Sequence, residues 1–267
     1  MAERAAREEA GGNGHLRLSV VIPVRDERRN VGPLAEEISA CLEGTPWEWE
    51  CLWIDDGSRD GTPEELGRVH AGDPRHAFVL LAGRYGQSVA LAEGFRRAQG
   101  DLIATLDGDG QNDPAELPIL VRHLLETGAD MVNGRRVERQ DSLTRRISSR
   151  IANAFRNRVT GERVRDVGCS LRVFRRECVE RLPVFGGMHR FLPSLVRLRG
   201  FERILELPVR HRPRRHGEPK YGIRDRLWVG IADTLAVRWM QARMQLRRPE
   251  LLKTSTGPAP RGRREDP

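Results

Sequence analysis

The chain has 267 residues, of which 38% are hydrophobic and 31% charged, and a formal net charge of +8. That composition supplies a core for one large α/β domain and excludes a wholly disordered chain. No apolar run approaches the roughly 18 residues of a membrane-spanning helix, and the four scattered cysteines (Cys41, Cys51, Cys169, Cys178) contain no C-x-x-C pair, which argues against a disulfide framework or structural zinc.

Residues 1–14 are polar and Gly-rich and lack the apolar stretch of a signal peptide, so they read as a disordered tail on a cytoplasmic protein. Leu16–Ile22 is a short β-branched run, expected to be a buried strand stopped by Pro23. Helical spacing follows over Asn30–Glu43, then a second strand over Trp49–Ile54. Thr62-Pro63-Glu64-Glu65 carries the signature of a helix start with Thr62 as N-cap and Glu65 closing a capping box. Ala77–Ala82 reads as a strand, Gln87–Gln99 as a helix, Leu102–Leu106 as a strand, Pro114–Thr127 as a helix and Met131–Asn133 as a strand.

Strands alternating with helices of this length imply βαβ units and a mostly parallel sheet, in which ligands bind beyond the carboxyl ends of the strands. Asp55-Asp56-Gly57, Asp107-Gly108-Asp109 and Gly134-Arg135-Arg136 are then expected as turns on one rim. Helices are expected over Ser142–Val159 and His189–Arg199, a strand over Ile204–Val209, a basic loop over His211–Tyr221 and a final helix over Arg224–Leu246. The last helix collects Leu227, Trp228, Ile231, Leu235, Trp239 and Met240 on one side with arginines flanking, a pattern of interfacial helices and equally of helices packed on a core. The domain is placed at 15–223, the amphipathic helix at 224–248 and a second disordered tail at 249–267.

Asp107-Gly108-Asp109-Gly110-Gln111-Asn112-Asp113 concentrates oxygen ligands after an apolar strand, which suits Mg²⁺ or Mn²⁺ completed by substrate phosphate. A calcium loop fails, because Asn112 and Pro118 stand where it needs Gly and Glu. Asp113 is expected to cap the Pro114 helix. Neither a P-loop nor a G-x-S-x-G elbow is present, and Gly11-Gly12-Asn13-Gly14 precedes the first strand, out of context for a dinucleotide fingerprint. The net charge of +8 and the many arginines alone would suit a basic nucleic-acid-binding protein. The chain lacks a recognisable motif, and only 5% of the residues are aromatic.

VVIPVRDE (20–27), WIDDGSRDGT (53–62), LDGDGQNDP (106–114), NGRR (133–136), DVGCSLRVFRR (166–176) and HGEPKYG (216–222) occur in order. Together they resemble family 2 glycosyltransferases of the GT-A fold, a Rossmann-like, mostly parallel sheet flanked by helices. More narrowly they are similar to polyprenyl-phosphate sugar transferases of the dolichol-phosphate mannose synthase type. The resemblance implies that Pro23, Arg25, Glu27, Ile54, Asp55 and Asp56, with Gly108 and Asp109, hold the nucleotide sugar. It also implies that Asp107, Asp109 and Gln111 hold Mg²⁺ or Mn²⁺, and that Arg135, Arg214 and Lys220 face the donor diphosphate and the acceptor phosphate. Arg25 and Pro219 depart from the Tyr and Ser more usual there.

Inverting transfer to a sugar hydroxyl also needs a general base, which many family members supply from a Glu-Asp pair. Here the only such pair is Glu265-Asp266, in the tail. A phosphate acceptor is already largely anionic near neutral pH and needs cations instead, so polyprenyl phosphate is the expected acceptor. Asp166 is the candidate base if the acceptor is a hydroxyl, or else a turn cap before Gly168. Lys220 is one of only two lysines, inside a loop expected to act as a lid. The resemblance of GMHRF and HGEPKYG to bacterial members favours UDP-sugars over GDP-sugars. A lipid acceptor implies peripheral attachment to the cytoplasmic face of a membrane.

Overall fold

A computed structural model describes residues 16–137, 153–162, 164–214 and 224–244. The expected tails, most of the 142–159 helix, and Lys220 with its neighbours 215–223 lie outside the described residues. Seven strands form one sheet in the order β3-β2-β1-β4-β6-β5-β7. They are β1 (Arg17–Val24), β2 (Glu48–Asp55), β3 (His76–Leu80), β4 (Leu102–Thr105), β5 (Met131–Arg136), β6 (Arg172–Arg175) and β7 (Ile204–Val209). All run parallel except β6, which is antiparallel to both neighbours.

The helices are α1 (Arg28–Leu42), α2 (Thr62–Gly72), α3 (Gln87–Arg97), α4 (Leu117–Thr127), α5 (153–160), α6 (Arg176–Val179), α7 (Leu192–Leu198) and α8 (Arg224–Arg243). Strand alternation sends Leu18, Val20, Ile22 and Val24 to one face, where they meet Val31, Leu34 and Ile38 of α1, Leu66 of α2 and Leu120 and Leu124 of α4. Val21, Ile54, Ile103 and Phe174 face the other way, against Leu91 and Phe95 of α3, Leu192 and Leu195 of α7 and Val237 of α8. The result is a helix–sheet–helix sandwich whose strands β1, β2, β4 and β5 all end on one rim.

Several expectations need correction. β1 does not stop at Pro23. The Val24 carbonyl accepts from the Asp56 N–H on the β2 side, and the Val21 carbonyl accepts from the Leu106 N–H on the β4 side. Residue 23 therefore faces the β4 side, past the end of β4, where a missing N–H removes no ladder bond. Thr62 does not cap α2: Gly61 occupies that position, and the Thr62 hydroxyl accepts from the Glu27 N–H at 2.9 Å while donating to Asp60. Gly134-Arg135-Arg136 is strand, not turn, because it pairs with Leu207, Pro208 and Val209.

Strand β6 was not anticipated. The 189–199 helix is a 3₁₀ turn at Met188–Arg190 followed by α7. Among the described side chains α8 packs through Thr234, Val237 and Met240, which leaves Leu235 and Trp239 exposed at 54% and 60%. Ile204–Val209 and the Asp113 cap, which accepts from the Ala115 N–H at 3.1 Å, are as expected.

Candidate active site

The ends of β1 and β2 are tied together by short polar side chains. Asp26, at a left-handed φ of 49°, accepts from the Arg59 N–H at 2.9 Å. Its own N–H donates to Ser58 Oγ at 2.8 Å. Ser58 in turn donates to Asp55 through both its N–H and its hydroxyl, and burial raises the Asp55 carboxyl above its ordinary range despite those bonds. Glu27 accepts from Asn30 Nδ2 at 2.6 Å. Asp56 accepts from the Tyr85 and Gly86 N–H groups at 2.6 and 2.9 Å, which anchors the loop leading into α3. Ile54 is fully buried against α3, whereas Pro23 and Arg25 are half-exposed at the cleft.

The carboxylate turn follows β4. Gly108 lies so close to β1 that a Cβ there would stand 2.4 Å from Val24 Cγ1, so this turn tolerates no side chain. Asn112 Oδ1 accepts from the Asp107 N–H at 3.1 Å and from Ser170 Oγ at 2.7 Å. Asp109 accepts from the Gln111 N–H at 3.1 Å and from Arg214 Nη2 at 2.8 Å. The 211–214 strap is held over the turn by the Asn112–His211 bridge, by the Arg212 N–H to the Gln111 carbonyl at 2.8 Å, and by Arg212 Nη2 on Asp113 at 2.7 Å. Burial, and then the charge of Asp109, push the Asp107 carboxyl up to about 6.

These residues fit a hard cation. Asp107, Asp109 and Gln111 offer oxygen donors, and a cation would relieve the repulsion that raises Asp107. Among the described residues no group of three or more His, Cys, Asp or Glu is placed to hold a metal ion by itself. Water and substrate phosphate would supply the other ligands, as is usual for Mg²⁺.

Across the rim, at the end of β5, Arg136 grips Asp166 with two bonds of 2.8 Å. Asp166 also caps Gly168, and its N–H donates to Glu206 Oε1 at 3.1 Å. Burial opposes the Arg136 charge, but the Asp166 bond and charge prevail and its pKa is raised. The Arg135 side chain makes no hydrogen bond or ion pair among the described residues, although its backbone lies in the β5–β7 pairing. Arg172, 3% exposed, donates to Asn133 Oδ1 and to the carbonyls of His189 and Val167.

Most of the expected site residues thus share one rim, in three groups: Pro23, Arg25, Glu27, Asp55 and Asp56; Asp107, Gly108, Asp109, Gln111 and Arg214; and Arg135 with Asp166. Sequence reasoning passed over Gln87, Ser170, Arg172 and Arg212. The Gly83-Arg84-Tyr85-Gly86 stretch, a glycine-bracketed link from a strand to a helix on the same rim, was the available signal for Gln87.

Residues 19–182 match the family described as glycosyl transferase family 2. Dodecaprenyl-phosphate galacturonate synthase of Rhizobium johnstonii is 40% identical over 226 residues, covering 83% of this chain and 66% of that protein. Undecaprenyl-phosphate 4-deoxy-4-formamido-L-arabinose transferase of Photorhabdus laumondii is 38% identical, covering 77% and 63%. The chain thus spans slightly less than two thirds of these relatives. In fold it is similar to glucosyl-3-phosphoglycerate synthase from Mycobacterium tuberculosis, crystallised with Mn²⁺, UDP and glucosyl-3-phosphoglycerate. That likeness has a TM-score of 0.63 and 22% identity, and it covers 87% of this chain and 82% of that one.

Proposed function

This chain belongs to glycosyl transferase family 2, and we propose that it transfers a sugar, with inversion, from a UDP-sugar to a polyprenyl phosphate. The observation that carries the choice of acceptor is the Asp166–Arg136 pair. The carboxylate put forward as general base has both oxygens committed to a buried guanidinium, so it is poorly placed to take a proton from a sugar hydroxyl. Arg135 sits on the same strand end, and a phosphate acceptor needs cations of this kind rather than a base. The two relatives, whose names specify polyprenyl-phosphate products, support the same reading.

In the reaction an acceptor phosphate oxygen forms a bond to the anomeric carbon as the bond from that carbon to the nucleoside diphosphate breaks. Pro23, Arg25, Glu27 and Asp56 frame the nucleoside side. Asp107, Asp109 and Gln111 would hold Mg²⁺ or Mn²⁺, which would neutralise the diphosphate as it departs. Arg214 lies on Asp109 at 2.8 Å, which places its positive charge beside the turn that would receive the diphosphate. Arg135 and Lys220 add positive charge where negative charge accumulates, a contribution typically worth about 100-fold or more in rate for a single donor.

Access to a lipid acceptor is provided by α8. Val229, Leu235 and Trp239 are exposed at 51%, 54% and 60%, with Arg238 and Arg243 also exposed. Aliphatic and Trp side chains beside arginines suit a headgroup interface. No helix among the described residues is long and apolar enough to cross a membrane.

The test is the chemistry of the product. Radiolabelled UDP-sugars, UDP-galacturonate among them, are incubated with Mn²⁺ and either a short polyprenyl phosphate or a panel of glycan acceptors. An organic-soluble product cleaved by mild acid supports the proposal. A label found only in acid-stable glycan overturns it and restores Asp166 as base.

A further inference from the structure

The end of α3 nearest the site holds a side chain that none of the roles above uses. Asp56 fastens the Tyr85 and Gly86 N–H groups, and Gly86 takes a φ of 95° that turns the chain into the helix. Gln87, the first residue of α3, therefore begins at the rim, and its Nε2 donates to Asp107 Oδ1 at 2.8 Å. An ionised carboxylate only accepts, so the amide must present its NH₂ group. The next residue, Ser88, shares a hydrogen bond of 3.1 Å with His189 Nδ1 in the Met188–Arg190 turn.

We propose that Gln87 is a positioning residue for the metal-binding turn, holding the Asp107 carboxylate beside Asp109. The proposal rests on the reading of that turn as a metal site. Asp107 is fixed at its backbone, where Asn112 accepts its N–H at 3.1 Å. Its carboxylate faces the like charge of Asp109 and gains by rotating away from it. A neutral donor on a fixed helix end opposes that rotation without competing for the cation, as partners behind metal ligands commonly do. Because Asp56 fastens the two residues before Gln87, the same helix end joins the nucleoside side of the cleft to the metal side.

The test is Mn²⁺ binding, followed by EPR of the free ion, alone and with UDP, on the full chain. Wild type is compared with Gln87→Met, which keeps the length and loses the donor, with Gln87→Ala, and with Asp109→Ala as a control. Thermal unfolding of each is recorded in parallel. The expected result is a roughly tenfold weaker Mn²⁺ dissociation constant for both Gln87 variants, a melting temperature close to wild type, and activity that recovers as Mn²⁺ is raised. Unchanged Mn²⁺ affinity in the Gln87 variants, with wild type binding and Asp109→Ala not binding, overturns the positioning role alone. A wild-type protein that binds no Mn²⁺ even with UDP overturns the metal reading and the proposal together.

Discussion

Replacing Asp166 with asparagine separates the two roles open to that residue. Asp166 and Arg136 side chains are 7% and 14% exposed and meet through two bonds of 2.8 Å. Removing one partner of a buried pair typically costs about 3–5 kcal/mol, because the other charge stays buried without compensation. Asparagine keeps the shape and one acceptor, so we take the lower end, about 3 kcal/mol. For a domain of this size that lowers the melting temperature by roughly 6–12 °C. Arg136→Lys, which offers one contact in place of a fork, falls in the same direction. At 15 °C, where the variant stays folded, turnover with polyprenyl phosphate should drop less than tenfold and keep its pH profile. Calorimetry and a pH series of initial rates check both parts. A variant of unchanged stability whose rate falls by 10² to 10⁴, the usual worth of a general base, with the acid limb of its pH profile lost, would refute the reasoning.

Three further outcomes follow from particular contacts. Burial holds the His76 imidazole neutral, with its pKa lowered to about 4 from the ordinary 6.5. Its Nδ1 accepts from Trp53 Nε1 at 3.1 Å, which leaves the proton on Nε2, opposite Ser39 Oγ. The stability this contributes is complete above about pH 6.5 and is lost as pH falls from 6.5 to 4. The gap corresponds to about 3 kcal/mol, and urea titrations across that range should lose this slope in His76→Gln. Arg214→Ala removes the cation on Asp109. Turnover should fall about 100-fold with far less change in Mn²⁺ affinity than Asp109→Ala causes, as steady-state kinetics and metal titration would show. Leu235→Glu with Trp239→Glu places two charges on the exposed face of α8. Sedimentation with anionic vesicles should drop several-fold, while the melting temperature moves by no more than 1–2 °C.

The first half of the chain was legible because its strands are short apolar runs alternating with helical stretches, and two of them end in acidic turns, at Asp55-Asp56-Gly57 and Asp107-Gly108-Asp109. Periodicity and punctuation agreed with the parallel sheet that formed. Asp113 as a cap was readable for the same reason, since its bond is local. What escaped depends on contacts distant in sequence. Thr62 carries a cap signature, yet Glu27, 35 residues away, takes its hydroxyl. Strand β6 has only four residues, Arg172–Arg175, and charged ends, and it is made a strand by β4 and β5 on either side. The orientation of α8 was left open by its sequence, and among its described side chains Val237, Thr234 and Met240 are the ones that find the core. Asp107, Asp109 and Arg135, which the motifs single out, do lie at strand ends on the one rim. The partners of Asp166 and Asp107, namely Arg136 and Gln87, came only from the structure.

The central claim is a reaction that needs donor, lipid phosphate and divalent cation together, and nucleotide release tests it most directly. The purified chain is assayed with a panel of UDP- and GDP-sugars, with and without short polyprenyl phosphate and Mn²⁺, beside Asp109→Ala. UDP release is expected only when lipid and metal are both present, and none from the variant. Release that proceeds equally without the lipid phosphate, or that survives in Asp109→Ala, would contradict it.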